Sequence, residues 1–498
     1  MLSQIGYDPD GQINGWLWGN NQQSERFYDL SGRPVIISMG VDANTQQPNS
    51  RTYGYDAAGR LTHAIDDSDP HLNQQHHYDE LDRLTGSERG ESAQSRTDYS
   101  YDLSGNRSTT ITGNTSLSNY SIDPNSNRLL SQGGAHTVNY SYDPTGHLTG
   151  DGSFNHTYNA AGRRIASTNT ATGQTTGYGY NALGQRISKT SGANSSQYFY
   201  DEQGHLTGEY DASGQLIQEI LWLGDLPVAV LKPATPANPT AEVYYLHIDH
   251  LGTPRKITRP NDNKMVWTWE GEAFGNSLPE QNPSGLGNYV FNLRFPGQYY
   301  DQETGLFYNG FRDYDPQTGR YIESDPIGLA GGIDTYAYVY NNPLNGTDPL
   351  GLIYKTENCK PKQKEKVKNA CEVATKKANI LGIGDKFQQM LDKATISCTP
   401  VAVFEDDCGG NDFSSTIYLN FKKKPGAYSC NLAAAVLHEG SHLPPLKYDE
   451  ADAFMLEYKA FPFEPRFTPD QFDEAYPHAS QKVKSKYKTN YEDLKLQK

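Results

Sequence analysis

The first 352 residues contain no cysteine; all five (Cys359, Cys371, Cys398, Cys408 and Cys430) lie beyond them. That absence excludes a disulfide framework or a thiolate metal site for the larger part of the chain. In the smaller part an odd number leaves at least one thiol unpaired, and disulfides and reduced core cysteines are both open. No run reaches the roughly 18 apolar residues a membrane-crossing helix needs, and the amino terminus lacks the charged-then-apolar pattern of a secretory signal. A secreted or injected protein would therefore use other machinery. Basic residues are also short: 43 Lys and Arg stand against 59 Asp and Glu, a formal net charge of −16, which argues against a protein that coats nucleic acid. Residues 353–498 carry 22 Lys and Arg against 20 Asp and Glu, so the acidity belongs to the first 352.

What the chain does have is 35 Tyr and 47 Gly in 498 residues, and much of that is repetition. An aromatic, an Asp or Asn, a few small residues, a Gly and then an aliphatic recur at Tyr7, Tyr28, Tyr55, Tyr78, Tyr101, Tyr142, Tyr158, Tyr180, Tyr200 and Tyr210; YDPDGQI, YDAAGRL and YNAAGRRI are examples. Alternating residues precede each unit, and its Asp and Gly supply the side-chain cap and positive φ of a tight connection, so each unit reads as a β-hairpin. A lone hairpin is marginal in water. Stacked units must share a core and an extended sheet, with tyrosine rings stacking across strands. Repetition alone also fits a generic β-solenoid or a carbohydrate-binding array.

The tyrosine-aspartate signature resembles the Rhs/YD repeat, which that family builds into a hollow β-cocoon. HIDHLGTPRKIT (His247 to Thr258) and WTWEGEAFGN (Trp267 to Asn276) are similar to its late-core segments. RDYDP from Arg312, GRY from Gly319, DPIGL from Asp325 and DTYAYVYNNPLNGTDPLGL (Asp334 to Leu352) resemble the motif that closes the core of Rhs/YD-repeat polymorphic toxins and insecticidal toxin-complex C components. The resemblance implies a shell, closed or partial, that encloses a variable carboxy-terminal toxin and cuts it free after DPxGL, here between Leu352 and Ile353. It also implies an aspartyl-type self-cleavage by Asp313 and Asp325, with Arg312 holding a carboxylate ionised. Read without it, these residues cap turns, as Asp315, Asp334 and Asp348 are expected to do. His247 and His250, flanking Asp249, are either metal ligands or structural histidines; the second reading is preferred. The expected division is repeats over 1–226, a Pro/Ala-rich spacer over 227–240, a late core over 241–352 and a separate domain over 353–498.

That last domain reads as small α+β. Val367, Ala370, Cys371, Ala374 and Ala378 share a helical face, strands are expected at 396–404 and 415–421, and a helix over 431–443 carries His438-Glu439-Gly440-Ser441-His442. An HExxH on a helix sets two imidazoles one turn apart on one Zn2+, with the glutamate between them as general base on a metal-bound water. The strand STIYLNF is similar in position to the edge strand on which zincin metallopeptidases pair a substrate. Glu450 is the expected third ligand, with Asp449, Asp452 and Glu457 as alternatives. The expectation is a multidomain protein: an all-β repeat shell followed by a zincin-like metallopeptidase effector acting on a protein substrate in a target cell. Its implied partners are a cognate immunity protein and a secretion-apparatus spike or amino-terminal Rhs part, and no nucleic acid. The rivals are a carrier or cell-surface binding protein with a non-catalytic tail, and a toxin tail of other chemistry such as a nuclease.

Overall fold

The computed structural model describes residues 2–352, apart from 10, 42, 44–47, 91–94, 114–115, 135–136 and 235–238, together with four short strands further on. The chain divides into two compact units, Met1–Pro326 with Ile333–Leu352, and Ile327–Gly332 with Ile353–Lys498.

In the first unit the repeats form two 13-stranded sheets in which every strand pairs with its neighbours in sequence. The first runs from Ser3–Tyr7 to Val138–Asn139 and the second from Ser141–Tyr142 to Met265–Thr268. Each repeat closes a hairpin as its residues require. At Tyr55, Asp56 Oδ1 accepts the Ala58 and Arg60 amides at 3.0 Å each, and Gly59 turns the chain with φ +89°, a conformation costly for any residue bearing a Cβ. Pairing slips by one position at the tyrosine, between Gly54 and Tyr55 and again between His77 and Tyr78, which adds local twist.

The tyrosines bind successive hairpins in a way not expected from the sequence. Tyr55 donates its hydroxyl to the Pro34 carbonyl, Tyr78 to that of Leu61 and Tyr101 to that of Leu84, at 2.7 to 2.8 Å. Along this row the rings lie beneath arginines rather than on one another: Arg33 over Tyr55, Arg60 over Tyr78 and Arg83 over Tyr101, at 4.6, 5.3 and 4.9 Å. The reason is local. The arginine that closes each turn is tied back to its aspartate, as Arg60 Nε to Asp56 Oδ2 at 2.7 Å, and the guanidinium then projects over the next repeat's ring.

The Pro/Ala-rich stretch is no spacer in its first half. Leu226–Lys232 is a strand paired on both sides, and Val228 and Val230 are buried. Pro227 fits because it stands where the ladder slips, opposite Trp222, a place where a missing N–H costs little. Trp18 stacks on Tyr245 at 5.5 Å and donates Nε1–H to the Val228 carbonyl, joining the first sheet to the second.

Residues beyond the second sheet supply the core. Ala273, Phe274 and Leu344 pack with Ile37, Tyr53, Leu61, Leu84 and Tyr99 of the first sheet, and Asn345 Oδ1 accepts the Leu61 amide at 2.8 Å. A small four-stranded sheet follows, Tyr299–Tyr300, Phe307–Asn309, Arg312–Asp315 and Arg320–Tyr321. Its aromatic face joins Phe307, Tyr314, Tyr321 and Tyr338, with Tyr314 and Tyr338 rings 4.8 Å apart. Aromatic pairs in these tilted geometries add about 0.5–1.5 kcal/mol each beyond area burial, which makes this sheet a firm floor for the side chains that rise from it.

In the second unit the described strands are Thr356–Glu357, Thr395–Ser397, Gly409–Asn411 and Thr416–Leu419. They form one sheet in the order first, second, fourth, third, with two parallel pairs and one antiparallel. Thr416–Leu419 falls within the stretch expected over 415–421, and Thr395–Ser397 overlaps the start of the one expected over 396–404. The helical face expected from Val367 to Ala378 and the helix expected over 431–443 lie outside the described residues. Among the described residues no helix is long and apolar enough to cross a membrane.

Candidate active site

The strand Arg312–Asp315 places consecutive side chains on opposite faces, so Arg312 and Asp313 serve different neighbourhoods. Arg312 is fully buried and gathers the end of the unit around it. Its Nη2 meets Asp325 Oδ2 at 2.8 Å and Asp348 Oδ2 at 3.4 Å. Its Nε donates to the Gly351 carbonyl at 2.6 Å and Nη1 to that of Thr335 at 3.2 Å, while the guanidinium lies 3.7 Å over the Tyr321 ring. Burial works against this cation, and Asp325, Tyr321 and Asp348 more than offset it, holding its pKa above the usual arginine range. Of the two aspartates named with it from the sequence, Arg312 contacts Asp325 and not Asp313.

The segment leading to Leu352 lies along the hairpin from Phe307 to Asp315 and is held at successive points. Asn309 Nδ2 donates to the Asp348 carbonyl, the Phe311 amide to Leu350, and Arg312 to Gly351. The Leu352 amide returns to Asp348 Oδ1 at 2.8 Å. The approach is close enough to require glycine on both sides. A Cβ on Gly310 would stand 2.6 Å from the Leu350 carbonyl oxygen, and one on Gly351, whose φ is +71°, 2.5 Å from that of Asn309. Asp348 does cap its turn, as expected. It also takes the Tyr321 hydroxyl at 2.7 Å and belongs to the Arg312 cluster, which its place in the sequence did not suggest.

Asp313, on the other face, is gripped by Arg164 of the second sheet through Nη2 to Oδ1 at 2.5 Å and Nε to Oδ2 at 3.0 Å. Arg164 also reaches Asp301 at 3.4 Å, and Asp301 takes Arg186 at 2.6 Å and Lys189 at 3.3 Å. Burial alone would raise the Asp301 carboxyl, but these three cations hold it below the usual carboxylate range. Glu323 is buried beside Asp313 and accepts the Asp313 amide at 2.7 Å. Burial, and then the charge of Asp313, push it up to about 8. Asp313 and Asp325 are thus paired to different arginines. Arg164, Asp301, Arg186 and Glu323 were not singled out from the sequence; among these, only Arg186 and Arg164 carried a signal, as arginines following the glycine of a repeat.

Asp315 and Asp334 cap turns as expected, accepting the amides of Gln317 and Tyr336. His247 pairs Nε2 with Thr258 Oγ1 at 2.9 Å and packs on Trp18. His250 pairs Nε2 with the Leu344 carbonyl at 2.8 Å and packs on Tyr53, and Asp249 caps the turn between them. The two imidazoles face different partners, as structural histidines do. His438, Glu439, His442 and Glu450 lie outside the described residues, as does Ile353.

The fold and the closing segment together define a class. The Teneurin YD-shell family matches residues 21–343, more than half of the chain, and the protein belongs to it. A toxin of Pseudomonas aeruginosa, Toxin protein Tse5, is 41% identical over 120 residues, 24% of this chain and 8% of that protein. Double-stranded DNA deaminase toxin A of Burkholderia cenocepacia is 30% identical over 363 residues, 65% of this chain and 24% of the relative. The chain thus spans a quarter or less of the length of these two relatives. The crystal structure of TcdB2-TccC3-Cdc42 has the same fold with a TM-score of 0.56 at 19% identity, over 71% of this chain and 19% of that one.

Proposed function

We propose that the first unit is a carrier that cuts its own chain between Leu352 and Ile353 and frees residues 353–498 as a toxin against a competing cell. The observation that carries this reading is the clasp on Asp348 to Leu352: four backbone groups of the segment are held in a row, and the arginine that holds Gly351 is ion-paired to Asp325 at 2.8 Å. Clasping orients the peptide ahead of the reaction and removes its freedom to drift, the largest contribution positioning can make to such a step. In the cut, water adds to the Leu352 carbonyl carbon, one carboxylate accepting the water proton and the partner acid supplying one to the carbonyl oxygen. Collapse breaks the bond to Ile353, whose nitrogen takes the proton and leaves as an amine. Asp325 and Asp313 are the carboxylates and Arg312 orients Asp325. Natively produced protein should run as two pieces whose masses meet at Leu352. Asp325→Asn and Asp313→Asn should each give one intact chain, and cutting at Leu352 in both variants would overturn the assignment.

For the freed piece the reading is a zinc metallopeptidase. His438, His442 and Glu450 would hold the ion, and when bound it would supply a polarised water and carbonyl for peptide hydrolysis. Glu439 would accept the water's proton. A cognate immunity protein would protect the producer, and a spike or amino-terminal Rhs part would deliver the chain. A second reading, a nucleic-acid-modifying tail, is favoured by the name of one relative, a DNA deaminase toxin. Zinc content and proteolysis of target-cell protein support the first; base changes or breaks in target DNA support the second. A tail that neither binds zinc nor harms cells would leave a non-catalytic carrier.

A further inference from the structure

Glu323 stands apart from the other carboxylates of the site. It is buried at 2% exposure and makes no ion pair among the described residues. The Asp313 amide donates to Glu323 Oε2 at 2.7 Å, and the preceding residue's amide, that of Ile322, donates to the Asp313 carbonyl at 2.9 Å. The other oxygen, Oε1, is buried with no hydrogen-bond partner.

The groups facing it come from several elements. Asp313 lies across that amide bond, each of its carboxylate oxygens holding one bond from the Arg164 fork. Tyr158 faces it from the strand Phe154–Tyr158, its hydroxyl donating to the Leu148 carbonyl at 2.9 Å while lying close to the Glu323 carboxyl. His147 pairs with Glu323 through the backbone, and Arg164, Arg163 and Arg312 feel its charge without bonding to it. Among the described residues no cation is bonded to it, whereas the Asp313 carboxylate is held by two nitrogens of Arg164. A buried carboxyl with no bonded cation, set beside a second carboxyl group, holds its proton more firmly than one in water.

We propose that Glu323 is a positioning residue for the self-cleavage, the holder of a single proton beside Asp313 that keeps the Asp313 strand seated on Arg164 and so sets the pH range in which the chain cuts itself. This rests on the self-cleavage reading above. Neutral Glu323 accepts the Asp313 amide with no charge opposing the neighbouring carboxylate; ionised Glu323 faces that carboxylate across a buried contact and pushes the strand away from its arginine.

The test compares wild type, Glu323→Gln and Glu323→Ala, with Asp313→Asn and Asp325→Asn alongside. Uncut precursor collected in urea is diluted into buffers from pH 6 to 9.5, and the rate of cutting at Leu352 is followed by mass spectrometry. Wild type should slow about tenfold between pH 7 and pH 9, the loss in protonated fraction expected of a group near 8. Glu323→Gln, neutral at every pH and still able to accept the amide, should hold its rate within about twofold, while Glu323→Ala should be slow throughout. An alkaline fall in Glu323→Gln equal to that of wild type, with Asp313→Asn and Asp325→Asn uncut, overturns the role of Glu323 alone. Cutting at the wild-type rate in both aspartate variants overturns the cleavage reading itself. Should the chain not refold, thermal unfolding of natively produced protein decides: the wild-type midpoint should drop from pH 6 to 9 and that of Glu323→Gln should not, and parallel curves count against the proposal.

Discussion

Asp348 Oδ1 accepts the amide of Leu352 at 2.8 Å, so the residue that opens the last turn also fixes the residue expected to end the carrier. Its other oxygen takes the Tyr321 hydroxyl and lies 3.4 Å from Arg312. One carboxylate therefore ties the turn, the aromatic floor and the arginine together. Asp348→Asn keeps the shape but weakens the charge-assisted bonds, each worth about 1.5–3 kcal/mol. The cut at Leu352 should slow at least tenfold in this variant while the unfolding midpoint moves by only a few degrees; mass spectrometry and calorimetry on one preparation check both.

Gly351 offers a steric test of the same clasp. With φ at +71° and the Asn309 carbonyl oxygen 2.5 Å from where a Cβ would stand, Gly351→Ala must strain the backbone or lift the segment off the hairpin. Strain of this kind costs about 1–3 kcal/mol. The expected outcome is an intact chain with a folded shell, seen as an unchanged β-sheet circular dichroism spectrum and a single band. Normal cutting would show that the clasp is not what orients the bond.

The Asp301 cluster predicts an acid limit. Burial opposes the charge of Asp301, and Arg186, Lys189 and Arg164 overcome it and lower its pKa below the usual 3.8. The folded form therefore holds fewer protons than the unfolded one. Its contribution is full above pH 4 and is lost as pH falls through the folded-state value. Asp301→Asn leaves buried cations without their shared partner and should cost about 3–5 kcal/mol at pH 7, with a flatter dependence of the unfolding midpoint between pH 2 and 4 than wild type shows.

How much of this was legible before the structure depends on how far apart the partners lie in the chain. Asp56, Gly59 and Arg60 make their turn within five positions, so their types and order suffice to read it. The Arg60 to Tyr78 contact repeats with the motif, yet its form, a guanidinium over a ring, is set by a tie between Arg60 and Asp56 that composition does not reveal. Pro227 was misread because proline content signals a linker, whereas a single slip in the ladder opposite Trp222 accommodates it. Arg312, Asp313 and Asp325 were singled out by resemblance. Arg164 stands in a repeat but lies 149 positions from Asp313, and Glu323 matters only through its buried surroundings, so neither pairing is legible in sequence.

The zinc reading of the tail rests on His438, Glu439 and His442 at the spacing of a single helical face, with Glu450 beyond, and it predicts a metal count before it predicts an activity. Native protein purified without added metal should carry one zinc per chain. His438→Ala should lose it, because two remaining ligands hold the ion poorly. Glu439→Gln keeps size and hydrogen-bonding shape while removing the base, so it should retain zinc yet lose toxicity to susceptible cells, a fall of about 100-fold or more in line with loss of a general base. Glu450→Ala against Glu457→Ala separates the two candidate third ligands by the same count. Zinc retained in both histidine variants, His438→Ala and His442→Ala, would show that the ion sits elsewhere. Toxicity of Glu439→Gln equal to wild type at matched protein levels would remove the peptidase from the reading and leave the carrier to release a toxin of other chemistry.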